Sequence, residues 1–213
     1  MRQDPSPSAP ASSSSSPSRR NVAPLGLLIL GRQGSGKGTQ AERIAAAYGV
    51  VHISTGDMLR AAVADHTELG DQADEIMKSG GLVPDDVMNG IVEDRLAKTD
   101  VVAGGFLLDG FPRTPGQADA LVSIVGDQLR LAISLDVSTE VVTRRMLERG
   151  RGDDTPESIS RRLALYEAET APLLAWARER DILAVVGGLG SEEDVFSRLR
   201  QVIDPLVAAR DER

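Results

Sequence analysis

Apolar residues in this chain fall into five short blocks with longer helical spacings between them. Leu25 to Leu30 (LGLLIL) does not alternate with polar residues, which predicts a strand buried on both faces. VVHI (50–53), GGFLLD (104–109), RLAISLDV (130–137) and DILAVV (181–186) read as four further strands. In GTQAERIAAAYG, Ala41, Ile44, Ala45 and Tyr48 recur at helical spacing and Gly49 closes the run. A second helix opens at STGD, where Ser54 and Asp57 form a candidate capping box. A third is ELGDQADEIMK, and a fourth follows Pro84 with Asp85 and Asp86 in its first turn, where the helix dipole favours acids. GQADALVSIV and STEVVTRRMLERG are helical. Thr155 caps a helix that begins at Pro156 and is interrupted or restarted at Pro172. The last helix, SEEDVFSRLRQVIDPL, carries a second box at Ser191 and Asp194.

Alternation of aliphatic strands with helices predicts an α/β fold, a parallel sheet covered on both faces, in one domain over residues 23–213. Three helical segments, rather than one, separate the second and third strands. The excess, about residues 54–83, predicts a small helical lobe. A shorter excursion, about 149–155, separates two arginine-rich helices. Both insertions are expected above the carboxyl ends of the strands, where open sheets bind ligands.

Composition narrows the chemistry. The 213 residues contain 41% hydrophobic and 3% aromatic residues, so the core is aliphatic. With no cysteine and two histidines, His52 and His66, a disulfide framework, a thiolate nucleophile and a structural zinc are not expected. His52 reads as structural and His66 as surface. The formal charge of −8 argues against a nucleic-acid partner, and no apolar run reaches a membrane-spanning length. Residues 1–22 are dominated by Ser and Pro and read as a disordered tail. Arg19 and Arg20 before NVAPLGLLIL mimic an export signal, but cleavage there would remove the first strand, so the cytoplasm is the expected location.

The first strand stops at Gly31, and Gly31, Gly36 and Lys37 fit G-x-x-x-x-G-K. Glycines let the backbone wrap with its amides inward, a helix N-terminus completes the cradle, and the lysine adds a mobile charge for phosphate oxygens. The hydroxyl that the strict pattern wants after the lysine comes one place later, at Thr39, because Gly38 intervenes. Asp109, ending the third strand, can serve a magnesium ion directly or through water. Although the chain is acidic, Arg113, Arg144, Arg145, Arg149, Arg151, Arg161 and Arg162 crowd the expected cleft, which predicts a clamp on several phosphates. No general base stands out, and an ionised phosphate acceptor would need none.

The segments GRQGSGKGTQ, HISTGDMLR, GGLVPDDV, LLDGFPRTPGQADAL and RRLALYEAETAPLL, in that order, resemble adenylate kinase, a P-loop nucleoside monophosphate kinase family, from about Leu25 to Leu206. The resemblance implies a three-layer fold with a five-stranded parallel sheet, an AMP-binding lobe and a lid. It also implies magnesium-dependent, reversible conversion of ATP and AMP into two ADP. By the same resemblance Gly34, Ser35, Gly36, Lys37, Gly38, Thr39 and Gln40 cradle the ATP phosphates, and Thr39 and Asp109 serve the metal. Thr55, Arg60, Gly110 and Arg113 hold AMP and its phosphate, Gly81, Leu82 and Val83 line its base, and Gln117 reads the adenine edge. Arg145 packs on the ATP adenine, with backbone near Gly190 beside it. Arg149 meets the ATP phosphates, Arg151 and Arg162 bridge donor and acceptor, and Asp153 and Asp154 pair with these arginines.

Three features depart from the family's pattern or fall outside it. Gln33 stands where proline or alanine is usual, the lid is of the short type, and the serine-rich tail has no counterpart. A UMP/CMP kinase shares the outline and differs at the acceptor base, where Thr55 and Gln117 favour adenine. A non-catalytic nucleotide-binding module would be expected to lose Lys37 or a clamping arginine. Nucleotides are the expected partners, and a monomer is the simplest assembly.

Overall fold

The computed structural model describes residues 24–211. The serine-rich tail lies outside the described residues. Five strands form one sheet in the order β2-β3-β1-β4-β5, every pair parallel. They are β1 (Leu25–Leu30), β2 (Val51–Ser54), β3 (Gly105–Asp109), β4 (Leu129–Asp136) and β5 (Leu183–Gly187). Side chains alternate across a strand, so one sequence run feeds two cores. Leu25, Leu27 and Ile29 pack on one face with Ile44 of α1 (Lys37–Tyr48) and Leu199 of α10 (Glu192–Asp211). Leu28 and Leu30 pack on the other with α4 (Asp85–Leu96), α6 (Pro115–Val125) and α9 (Pro172–Glu179), through Val92, Leu121 and Trp176. The unalternating pattern of β1 follows from this double burial. The chain is therefore a three-layer α/β structure.

The segment between β2 and β3 contains four helices, not the three predicted: α2 (Thr55–Ala64), α3 (Glu68–Lys78), α4 and a six-residue α5 (Thr99–Gly104). The valines and glycines of TDVVAGG hide α5, because both residue types disfavour helix. Ser54 caps α2 by accepting from the Asp57 amide at 3.2 Å. The box at Ser191 is reciprocal, since Asp194 accepts from the Ser191 amide at 2.9 Å. The last helix runs on past Pro205 to Asp211, further than predicted. Pro205 is exposed there, so the face it occupies packs against nothing that a lost helical bond would disturb.

Helices α7 (Thr139–Arg149) and α8 (Pro156–Leu165) are joined by Gly150–Thr155 and share a small apolar core of Val142, Met146 and Ile159. Pro172 restarts the helix, as the first residue of α9. A wide π turn, Tyr166–Thr170, precedes it, with the Ala171 amide donating to the Tyr166 carbonyl at 2.7 Å. Proline crowds the carbonyl four residues back and brings no amide of its own, and widening the turn relieves both problems. Among the described residues no helix is long and apolar enough to cross a membrane.

Helices α2 and α3 lie so close that a Cβ on Gly70 would stand 2.0 Å from the Ala62 carbonyl oxygen. Gly70→Ala is therefore expected to force the pair apart and to destabilise the protein by about 1–3 kcal/mol, the usual cost of overpacking. Urea unfolding of the two proteins measures this.

Candidate functional site

The strand order reverses beside β1, and the carboxyl ends of β1, β2 and β3 open there into a cavity of about 440 Å³. Gly31, Ser54 and Asp109 bring the three strand ends to its wall. Seven cationic side chains line it, namely Lys37 and Arg60, Arg113, Arg145, Arg149, Arg151 and Arg162, against four carboxylates. In a chain of net charge −8 this local excess of positive charge marks an anion site.

On the β1 side the loop Gly31–Gly36 turns into α1. Gly34 has φ +82°, and a Cβ on it would stand 2.7 Å from the Val142 carbonyl oxygen. Conformation and contact both require glycine there. Lys37 donates to the Gly31 and Arg32 carbonyls at 2.7 and 3.0 Å. Burial pulls its ammonium down to about 8. Asp109 counters that fall, while Arg113 and Arg149 add to it. Arg145 reaches the Ser35 carbonyl at 3.3 Å and that of Gly188 at 3.4 Å. Gly36 and Gly38 line the cavity, and Thr39 is exposed in its wall.

Two residues that the resemblance places at the ATP, Gln40 in the cradle and Gly190 beside the base, lie elsewhere. Gln40 is buried and donates to the Glu192 carbonyl at 3.0 Å, tying α1 to α10. Gly190 lies outside the cavity wall, beside Asp194. Ser35 is buried as well, and its hydroxyl has no hydrogen-bond partner among the described residues. Gln33 does line the cavity, with its buried carbonyl oxygen unpartnered.

On the β2–β3 side, Thr55 is buried and donates to the Asp109 carbonyl at 3.4 Å. Arg60 pairs with Asp57. Arg113 donates to the Gly110 carbonyl at 2.7 Å, and burial lowers its guanidinium against the opposing pull of Asp109. Gly81, Leu82, Val83 and Gln117 line this end with Met88. Asp85 and Thr114, which sequence reading did not assign to the site, hydrogen-bond around Gln117. The PDD stretch was legible as a helix start and as part of a family segment, but not as a partner of Gln117.

Arg149 and Arg162 converge on Asp154, at 2.9 and 3.0 Å, and Arg162 also pairs with Asp153. Arg162 further donates to the Met77 carbonyl at 3.3 Å, so α8 touches the end of α3. Arg151 is exposed at the cavity mouth. Two arginines of the predicted cluster do not join it. Arg144 is 68% exposed and lies 4.0 Å from Glu148, and Arg161 is exposed outside the wall. Helical spacing places residues three and four apart together, but packing decides which neighbours turn inward.

His52 lines the cavity, its buried Nε2 without a hydrogen-bond partner among the described residues and 3.8 Å from the Asp109 carboxylate. Among the described residues no hydrogen bond reaches the Asp109 carboxylate, which is nearly buried at the cavity floor. An anion in that state, with the Thr39 hydroxyl on the same wall, fits a hydrated divalent cation.

Burial alone would raise the Asp154 carboxyl. The hydrogen bond and charge of Arg149, with Arg162 behind, outweigh burial and hold it below the usual carboxylate range. A depressed carboxyl stabilises the fold above its unfolded pKa and loses that contribution as pH falls through the folded value. Amide exchange across Gly150–Thr155, corrected for its intrinsic pH dependence, is thus expected to stay slow at neutral pH and to accelerate below about pH 4. Asp154→Ala is expected to show fast exchange already at neutral pH.

A family model described as adenylate kinase matches residues 29–182. The adenylate kinase of Oenococcus oeni is 44% identical over 184 residues, spanning 84% of this chain and 98% of the relative. That of Stenotrophomonas maltophilia strain K279a is 45% identical over 184 residues, spanning 83% and 98%. Adenylate kinase 1 of Synechocystis is 45% identical over 183 residues, spanning 84% and 97%. A loop–lysine cradle at the sheet's switch point, a ring of inward arginines and near-complete overlap with these relatives agree, and the chain belongs to the adenylate kinase family.

Proposed function

We infer that this cavity transfers a phosphoryl group reversibly between ATP and AMP, giving two ADP. The observation that carries the reading is the convergence of seven cations on one cavity with two differently furnished ends. The glycine-loop end takes the triphosphate, with the backbone of Gly34–Thr39 and Lys37 on its phosphates and Arg145 against the base. The other end takes the monophosphate, with Thr55, Arg60 and Arg113 at its phosphate side and Val83 and Gln117 at its base. In this reading α2 and α3 form the acceptor lobe, and Gly150–Thr155 with the flanking helix ends forms a short lid.

Transfer proceeds by in-line attack of an AMP phosphate oxygen on the terminal phosphorus of ATP. The new P–O bond forms as the bond to the ADP oxygen breaks. The acceptor oxygen is already ionised at neutral pH, so no base is required, and the chemistry reduces to positioning and charge stabilisation. Lys37, Arg113, Arg149, Arg151 and Arg162 surround the path of the moving group. In the structure Arg149 and Arg162 are held by Asp153 and Asp154, and phosphate oxygens would replace those carboxylates as partners. Thr39 and Asp109 would hold magnesium, whose charge neutralises the phosphates when it is bound. A cavity closed over by the lid excludes the competing acceptor, water. The protein is taken to act as a monomer in the cytoplasm.

ADP formation from ATP, AMP and magnesium is expected. Lys37→Ala is expected to lower kcat/KM about 10²–10³-fold, the scale for losing one preorganised charge donor. Assaying AMP, GMP, CMP and UMP separately tests the acceptor, and preference for CMP or UMP would overturn it. Because Lys37 titrates near pH 8 when the site is empty, a bound polyphosphate should raise its pKa and draw in protons. Calorimetry of ATP binding in buffers of different ionisation heat is expected to show net uptake at pH 8.5 relative to Lys37→Met. The difference between the two should vanish below pH 7.

A further inference from the structure

Gln117 is almost wholly buried, yet its amide reaches the cavity wall. Its Oε1 accepts from the Arg113 backbone amide at 2.8 Å, and its Nε2 donates to Asp85 Oδ1 at 2.7 Å. The other Asp85 oxygen accepts from the Thr114 hydroxyl at 2.7 Å, and that hydroxyl accepts from the Gln117 backbone amide at 3.2 Å. The network is closed, and each anchor has one chemical sense. A carboxylate can only accept and a backbone N–H can only donate. Turning the amide over would set oxygen against carboxylate and NH₂ against N–H. Two bonds would be lost and two repulsions created.

We propose that Asp85 is a positioning residue that fixes the sense of the Gln117 amide and so makes the acceptor pocket select a 6-amino purine over a 6-keto purine. The proposal rests on the acceptor-end assignment made above. After its two anchors, the amide has one N–H and one oxygen lone pair left, in a fixed order. Adenine offers a ring-nitrogen acceptor beside an amino donor, which matches that order. Hypoxanthine, nearly the same in shape, offers a carbonyl acceptor beside an N–H donor on its Watson–Crick edge, and the match is reversed. A free amide would rotate to suit either base, whereas a locked one leaves polar groups unpaired against the wrong base, and unpaired polar groups are what make hydrogen-bonding pockets discriminate strongly.

The test compares AMP and inosine monophosphate as acceptors, with ATP as donor, in the wild type, Asp85→Ala and Asp85→Asn. In Asp85→Ala the KM for AMP is expected to rise about tenfold, on the scale of one hydrogen bond's orientation. The KM for ATP should not move, and the ratio of kcat/KM for inosine monophosphate to that for AMP should rise about tenfold. Asp85→Asn can still accept from Gln117 and reach Thr114, so it is expected to restore the wild-type ratio. If Asp85→Ala does not fold, Asp85→Glu displaces the carboxylate by one methylene and should shift the ratio in the same direction. An unchanged ratio in the folded variant, or equal loss for both acceptors and for ATP, would overturn the lock while leaving the acceptor assignment intact. A wild type that phosphorylates no AMP sinks the assignment itself.

Discussion

The structure is organised around uncompensated positive charge. Lys37, half-buried at the start of α1, has two carbonyls as its hydrogen-bond partners among the described residues and Asp109 as the nearby opposite charge. Arg113 is half-buried nearby and donates to a carbonyl of its own turn. Keeping such groups charged and partly out of water costs free energy that two carbonyl hydrogen bonds recover only in part. The sheet, the glycine loop and the helices hold them there regardless. The position of the site at the switch point is part of that arrangement. The connections leave β1 toward opposite edges of the sheet, which opens a crevice at the carboxyl ends of the strands.

The two faces of the sheet take unequal parts in this. The α1–α10 face is aliphatic packing with one polar tether, the Gln40 bond to Glu192. The opposite face carries polar ties between the elements around the cavity. Thr170 donates to the Arg113 carbonyl at 2.9 Å, and Arg32 of the phosphate loop binds Glu167 at 2.5 Å while lying over the Tyr166 ring. One short turn thereby bridges the glycine-loop end and the β2–β3 end of the cavity. Selection at the acceptor base, if set by Asp85, comes from the same face through α4.

The β1–loop–α1 unit was legible because each of its signals is local: an unbroken apolar run, glycines at positive φ, a lysine at a fixed offset. The five strands were legible for the same reason. The extent of the site was only half legible. Arg145 and Arg149 turn inward while Arg144, next to Arg145, faces solvent, and only the packing of α7 on α8 decides that. Gln40 sits inside the most specific motif of the chain, yet its side chain points at α10. Asp85 looked like an ordinary first-turn acid because its partners lie 29 and 32 residues away. The helix α5 escaped notice because its valines and glycines disfavour helix, and the wide turn at Tyr166–Thr170 because Pro172 signalled a break without its form.

That wide turn also sets angular phase. An α-helix advances about 100° per residue, and a π turn absorbs one residue more than an α turn over the same rise. Tyr166 and Thr170 therefore look into the cavity while Leu173, Trp176 and Ala177, a few residues on, are buried against the sheet. A chain shortened by one residue here would run as a straight rod, turning either the indole toward solvent or the threonine away from the arginine backbone. Length, rather than chemistry, is the conserved quantity to look for in this turn.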